Sequence, residues 1–149
     1  MSAANKPSPT EILLVEDNLG TVRLIKEALK EGQSDHQLQV ANNGEHAMAL
    51  LRREGDYAEA PKPDLIVLDL NVPKKDGREV LEEIKADHRL RKVPIVVLTT
   101  SRDLNDVNAA YDLNCNCYIT KPVDLDQFIE AVQLIEKFWL QIVTLPSEP

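Results

Sequence analysis

The chain has 149 residues, with 17 Lys and Arg against 25 Asp and Glu, for a formal net charge of -8. That length suits one compact domain. The acidic balance, with no basic run longer than Lys74-Lys75, argues against a nucleic-acid partner, because neutralising phosphates needs a basic patch.

No apolar stretch reaches the roughly 20 residues of a bilayer span, so no membrane partner is expected. Residues Met1 to Pro9 lack the apolar centre of a signal peptide. They read as a disordered lead-in (residues 1–9) to a domain over 10–140, with an extension over 141–149. A cytoplasmic protein is expected. Cys115 and Cys117 have no His or further Cys near them to complete a zinc tetrad, and they read as free thiols.

Ile12-Leu13-Leu14-Val15 is a strand-like run that ends in Glu16-Asp17. Val22, Leu24, Ile25, Ala28 and Leu29 then recur at helical spacing, with Gly32 as a stop. Leu38-Gln39-Val40-Ala41 predicts a short second strand closed by Asn42-Asn43-Gly44, and Ala47, Met48, Leu50 and Leu51 predict a second helix. A polar loop occupies about Glu54 to Pro63. Leu65-Ile66-Val67-Leu68 is a continuous apolar run, as in a parallel strand buried on both faces, and it ends in Asp69.

Pro73 and Gly77 hold the following segment out of a helix until Val80, Leu81 and Ile84 mark the third one. Pro94 introduces Ile95-Val96-Val97-Leu98, which ends in Thr99-Thr100-Ser101. Leu104, Val107, Ala110, Tyr111 and Leu113 mark a fourth, less apolar helix. Cys117-Tyr118-Ile119-Thr120 runs into Lys121-Pro122, and a last helix begins after the N-cap candidate Asp124 and continues to about Trp139.

Strands and helices alternate through five βα units. This predicts a flavodoxin-like, doubly wound α/β fold, (βα)5, whose parallel sheet has the order 2-1-3-4-5. In that order strands one and three are neighbours, and the switch between them brings Glu16, Asp17 and Asp69 together at the carboxyl edge, where such sheets bind ligands. Thr99 and Lys121 end strands on the same edge.

Clustered carboxylates repel one another, and a hard divalent cation relieves that repulsion. Mg2+ takes oxygen ligands and binds through one or two carboxylates plus phosphate oxygens. Asp17 and Asp69 are the candidate direct ligands, Glu16 acts through water, and Asn71 offers its backbone carbonyl. Lys121 suits a phosphoryl oxygen, and Thr99 offers that group a hydroxyl. A carboxylate so surrounded is an acceptor for phosphoryl transfer, which needs mainly positioning and charge stabilisation. An aspartyl phosphate on Asp69 is the chemical expectation.

Glu16-Asp17, Asp69, Pro73-x-x-Asp76-Gly77, Thr99 and Lys121-Pro122 stand in the order and spacing of the receiver domains of two-component response regulators, which the chain resembles from Glu11 to Leu140. The segments Leu68 to Pro73, Val97 to Ser101, Asn116 to Leu125 and Phe138-Trp139-Leu140 are similar to cyanobacterial phytochrome response regulators.

The resemblance implies a phosphoryl group taken by Asp69 from a sensor histidine kinase, here a phytochrome, with Mg2+. It makes the chain a signalling protein that catalyses only its own phosphorylation and dephosphorylation. It also implies a Thr99–Tyr118 switch, Asn71 and Ser101 flanking the path of the hydrolytic water, and a cis bond before Pro122. Ser101 departs from the acidic or amide residue often found there. Two other readings compete. A phosphohydrolase of the haloacid dehalogenase type wants a second Asp where Asn71 stands, and a binding module that is never phosphorylated does not need the acid cluster, Thr99 and Lys121.

The last helix carries two apolar stripes: Phe128, Val132, Ile135 and Trp139, and beside it Ala131, Leu134 and Phe138, continued by Ile142, Val143 and Leu145. One stripe covers the sheet. The surplus predicts an interface using Phe138, Trp139 and Ile142, in a homodimer. A stand-alone receiver is expected, with a downstream protein reading the distal face.

Overall fold

Every residue of Leu65–Leu68 and of Ile95–Thr99 is buried, which for all but the polar Thr99 follows from an unbroken apolar run and places both strands at the centre of a sheet. The computed structural model describes residues 9–146, so the expected disordered lead-in lies outside the described residues except for Pro9, as do residues 147–149 of the extension. In chain order the elements are β1 (Thr10–Val15), α1 (Leu19–Lys30), β2 (His36–Ala41), α2 (Gly44–Arg52), a 3-10 turn (Gly55–Tyr57), β3 (Leu65–Leu68), α3 (Gly77–Ala86), β4 (Ile95–Thr99), α4 (Leu104–Asp112), β5 (Cys117–Thr120), α5 (Leu125–Ile135) and a π-helical turn (Glu136–Ile142).

The five strands are parallel and ordered β2-β1-β3-β4-β5, the flavodoxin-like order that the sequence predicts. The alternation of side chains along each strand divides the core into two layers. Leu13, Val15, Ile66, Leu68, Ile95 and Val97 face α2 and α3, whereas Ile12, Leu14, Leu65, Val67, Val96 and Leu98 face α1 and α5. Cys115 belongs to the first layer and Cys117 packs against the second, and both are free thiols. Burial pushes the Cys115 thiol up to about 11, which keeps it protonated and unreactive.

Polar side chains set where the helices begin. Asn18, Asn43, Asp76, Asp103 and Asp124 each accept a hydrogen bond from an amide in the first turn that follows. Each of these helices follows a strand of the parallel sheet, so all five starts lie on the side of the carboxyl ends, where the site is. Strand β2 begins two positions earlier than its apolar run, at His36, because backbone pairing to Thr10 and Glu11 carries it through the polar residue Gln37. Helix α4 buries only Ala110, and Leu104 and Tyr111 are exposed.

After Ile135 the last helix widens into a π turn. Its first residue, Glu136, is a buried carboxylate that accepts from the Ser34 amide at 3.0 Å and from Gln141 Nε2 at 2.7 Å. The Ser34 bond ties the C-terminal segment to the α1–β2 loop, and the Gln141 side chain closes on Glu136 within the π turn itself.

No peptide bond among the described residues is cis, so the expectation for Pro122 is corrected. For an X–Pro bond trans is the lower state by roughly 0.5–1 kcal/mol. With the trans bond, the Lys121 amide pairs with the Thr99 carbonyl at 2.6 Å while its ammonium still reaches the acid cluster.

Gly77 is required by close approach. A Cβ there would run into the Asp69 carbonyl oxygen and lie 2.6 Å from Leu70 Cα, both of them backbone atoms. Gly77→Ala must displace the loop that follows Asp69 and is expected to cost about 1–3 kcal/mol, as overpacking does. A urea midpoint equal to that of the wild type would contradict this.

Candidate functional site

The carboxyl ends of β1, β3, β4 and β5 bring Glu16, Asp69, Thr99 and Lys121 into mutual hydrogen-bonding range. Lys121 Nζ lies 2.6 Å from Glu16 Oε1 and 3.1 Å from Asp69 Oδ2. The Thr99 hydroxyl donates to Asp69 Oδ1 at 2.9 Å, and the Asn71 amide donates to the same oxygen at 3.0 Å. Both Asp69 oxygens are thus fixed by protein donors. Glu16 is fixed as well, its Oε2 accepting from the Asn18 amide at 3.1 Å.

Burial sharpens the electrostatics. Glu16 is 2% exposed and Asp69 7%, so charge is poorly screened between them. Loss of water raises the Glu16 carboxyl above the ordinary carboxylate range despite its bond to Lys121. For Lys121, burial works against the charge, but pairing with Glu16 and Asp69 outweighs it and raises the ammonium. The lysine stays positive and is held between two acids.

Glu16, Asp17 and Asp69 offer carboxylate oxygens that lie within 4.8 Å of one another. Three carboxylates against one ammonium leave the cleft with excess negative charge, and Asp17 is exposed. Oxygen donors so grouped, one of them open to solvent, suit a hard divalent cation.

The remaining predicted residues lie around this centre. Asn71 is exposed, and its Nδ2 is 3.4 Å from Thr99 Oγ1. The Tyr118 hydroxyl donates to the Ser101 carbonyl at 3.0 Å, which ties β5 to the loop after Thr99. Phe138 and Ile142 are exposed, whereas Trp139 is half-buried against the α1/α5 layer of the core, edge-on to Phe138 at 5.4 Å.

Two residues beside the site escaped the sequence reading. Arg78, next after Gly77, grips Asp106 in the first turn of α4 with Nε–Oδ1 2.9 Å and Nη2–Oδ2 2.7 Å. The available signal was an Arg directly after Asp76-Gly77 and an Asp three residues beyond the cap Asp103, two charges that only the fold brings together.

Hydrogen bonds from Arg78 and Ser101 lower the Asp106 carboxyl to about 2. A carboxyl depressed below its unfolded value of roughly 3.9 adds stability above that pH and loses it as pH falls through the folded value. Because the Arg78 side chain is 37% exposed, the contribution is scaled to that of an exposed pair, roughly 0.5–1 kcal/mol. Asp106→Asn should therefore be less stable than the wild type at neutral pH, with the gap closing between about pH 4 and pH 2. Paired urea titrations across that range measure it.

The five-stranded fold and the Asp69-centred cluster define a class of protein, and residues 12–133 match the response regulator receiver domain. The chain belongs to that family. It is 51% identical over 147 residues to the response regulator Rcp1 of Synechocystis sp., across 99% of this chain and 99% of that one. The crystal structure of the Mn2+-bound form of Rcp1 matches with a TM-score of 0.92 at 52% identity, covering 93% of this chain and all (100%) of that one. That of the phosphorylated cyanobacterial phytochrome response regulator RcpA matches with a TM-score of 0.91 at 53% identity, covering 94% and 100%. The resemblance to cyanobacterial phytochrome response regulators expected from the sequence holds. Among the described residues no helix is long and apolar enough to cross a membrane.

Proposed function

We propose that this protein is a phosphorylation switch that takes a phosphoryl group onto Asp69 from a phytochrome-type sensor histidine kinase and passes the signal on through a protein surface. The observation that carries the reading is Asp69 itself, one oxygen held by Lys121 and the other by Thr99, beside two further carboxylates. The relatives support it, since one has been crystallised with Mn2+ and another in a phosphorylated form.

Glu16, Asp17 and Asp69, with the Asn71 carbonyl, would hold Mg2+, Glu16 acting through water. Bound there, the ion supplies positive charge to phosphoryl oxygens. The chain's own groups do the rest. A carboxylate oxygen of Asp69 attacks phosphorus as the bond to the donor breaks, and the donor leaves with that electron pair. Lys121 neutralises charge on the transferred group. The Thr99 hydroxyl changes its acceptor from Asp69 to a phosphoryl oxygen, and Tyr118, fastened to the Ser101 carbonyl, follows the movement of that loop. Phosphorylation shifts the population only through such differential contacts.

The test is intact mass after incubation with a small acyl phosphate and Mg2+, with and without chelator. A phosphoryl adduct that chelator prevents is expected; no adduct overturns the reading, and turnover of unrelated phosphate esters favours a hydrolase. Transfer from an autophosphorylated phytochrome kinase, against an unrelated kinase, tests the partner.

A homodimer through Phe138, Trp139 and Ile142 completes the proposal, supported by the exposure of Leu134, Phe138 and Ile142 along the last helical segment. Phe138→Ala is expected to elute later than the wild type in size exclusion. Unchanged elution would remove Phe138 from the contact.

A further inference from the structure

Arg78 and Asp106 are not among the residues that carry the family resemblance, yet they close a ring of polar contacts beside Asp69. Arg78 holds Asp106 through two parallel bonds, and its third nitrogen, Nη1, lies 3.3 Å from the carbonyl of Leu70, the residue after Asp69. Asp106 Oδ2 in turn accepts from the Ser101 hydroxyl at 2.6 Å. The Ser101 carbonyl takes the Tyr118 hydroxyl at 3.0 Å, and its amide lies 3.5 Å from Thr99 Oγ1. The starts of α3 and α4, the loop after Thr99 and strand β5 are thus linked through Asp106 and Ser101.

A serine hydroxyl has one proton to donate. Here that proton is committed to a carboxylate, in a short, charge-assisted bond of the stronger kind. The forked grip of Arg78 fixes the orientation of the carboxylate, which a single point contact would not. Ser101 is accordingly pinned onto the first turn of α4. The Asp103 amide, 3.4 Å from Ser101 Oγ, points to the same rotamer.

Resting on the phosphoacceptor reading above, we propose that Arg78 and Asp106 are positioning residues that lengthen the life of the Asp69 phosphoryl group by holding the Ser101 hydroxyl on α4, away from the attacking water. In the hydrolysis concerned, a water oxygen forms a bond to phosphorus while the bond from phosphorus to the Asp69 oxygen breaks. The products are the Asp69 carboxylate and inorganic phosphate, and the water's proton passes to the phosphate or to solvent. A hydroxyl free to turn into the cleft accepts a hydrogen bond from that water and orients it, the kind of placement that accelerates attack. Releasing Ser101 therefore speeds loss of the phosphoryl group.

An ordinary helix-to-helix ion pair would also weaken the fold when cut, so the decisive readout is dependence on the hydroxyl. Wild type, Asp106→Ala, Ser101→Ala and the double variant are loaded with a small acyl phosphate and Mg2+, freed of donor, and followed by intact mass. Asp106→Ala is expected to shorten the adduct lifetime about five-fold when Ser101 is present and less than about two-fold in the Ser101→Ala background, a coupling of the size seen for contacting residues. Arg78→Gln, which removes the fork and leaves Asp106 in place, shifts the lifetime the same way, and it carries the test if Asp106→Ala does not fold. Equal lifetimes for variant and wild type, or equal acceleration in both Ser101 backgrounds, overturn the inference while the phosphoacceptor reading stands. No adduct on the wild type overturns both.

Discussion

Asp69→Asn is expected to show no phosphoryl adduct after incubation with acyl phosphate and Mg2+, under conditions in which the wild type is modified. The effect should be close to complete because an amide oxygen is a poor nucleophile and its O-phosphoryl adduct would be an imidate carrying a positive charge. Loss of folding should not confuse the result. Asn keeps an acceptor oxygen for the Thr99 hydroxyl and the Asn71 amide, which lie 2.9 and 3.0 Å from Asp69 Oδ1. It also removes one of the clustered carboxylates, relieving repulsion with Glu16 and Asp17. The variant loses the ion pair of Asp69 Oδ2 with Lys121, which keeps Glu16 at 2.6 Å, so these opposing effects should leave it folded while being inert to the donor. A full adduct on Asp69→Asn would move the acceptor to another residue and remove the central claim about this site.

Asp69, Thr99 and Lys121 were legible in the sequence for a simple reason. Asp69 and Thr99 close the two fully buried apolar runs, Lys121 follows the shorter strand-like run Cys117–Thr120, and parallel strands deliver their carboxyl ends to one edge. The register confirms the arithmetic, since Leu68, just before Asp69, is paired with Val15 on one side and Val97 on the other. The N-cap role of Asp124 was legible too, because it depends only on neighbours in sequence.

What escaped depends on contacts between distant segments. Arg78 and Asp106 are 28 residues apart, and Glu136 meets the Ser34 amide across 102 residues. Local pattern gives such charges a solvated reading, and only packing reveals that Glu136 is 3% exposed. Trp139 is the contrast, because local spacing was enough to place it. Helical spacing assigns it to the stripe that covers the sheet, and its half-buried place against the core agrees with that stripe, while its neighbour Phe138 is 51% exposed.

Lys121→Met carries the second large expectation, on both stability and chemistry. The Lys121 side chain is 11% exposed and spans Glu16 and Asp69, themselves 3% and 8% exposed at the side chain. Removing one partner of a buried pair leaves the other charge uncompensated, at a cost of roughly 3–5 kcal/mol. The figure should fall toward the lower end here, because the cleft opens to water at the exposed Asp17. Met replaces most of the lysine stem, so the loss reports charge more than volume.

The acid cluster left behind is more negative, and a divalent cation held by it, as proposed, would bind the folded state better than the unfolded chain. Mg2+ should therefore raise the melting temperature of Lys121→Met by more than it raises that of the wild type; saturation to about 100 times Kd is worth roughly 2.7 kcal/mol. Phosphorylation behaves differently. The ammonium reaches Asp69 Oδ2 from β5, and a cation held by Asp17 cannot replace a charge delivered from that side. Adduct formation should fall at least ten-fold, about 1.4 kcal/mol of lost transition-state stabilisation, even at Mg2+ concentrations that restore the melting temperature. If saturating Mg2+ restores stability and phosphorylation together, Lys121 is only a counter-ion for the acids and has no separate part in the transfer.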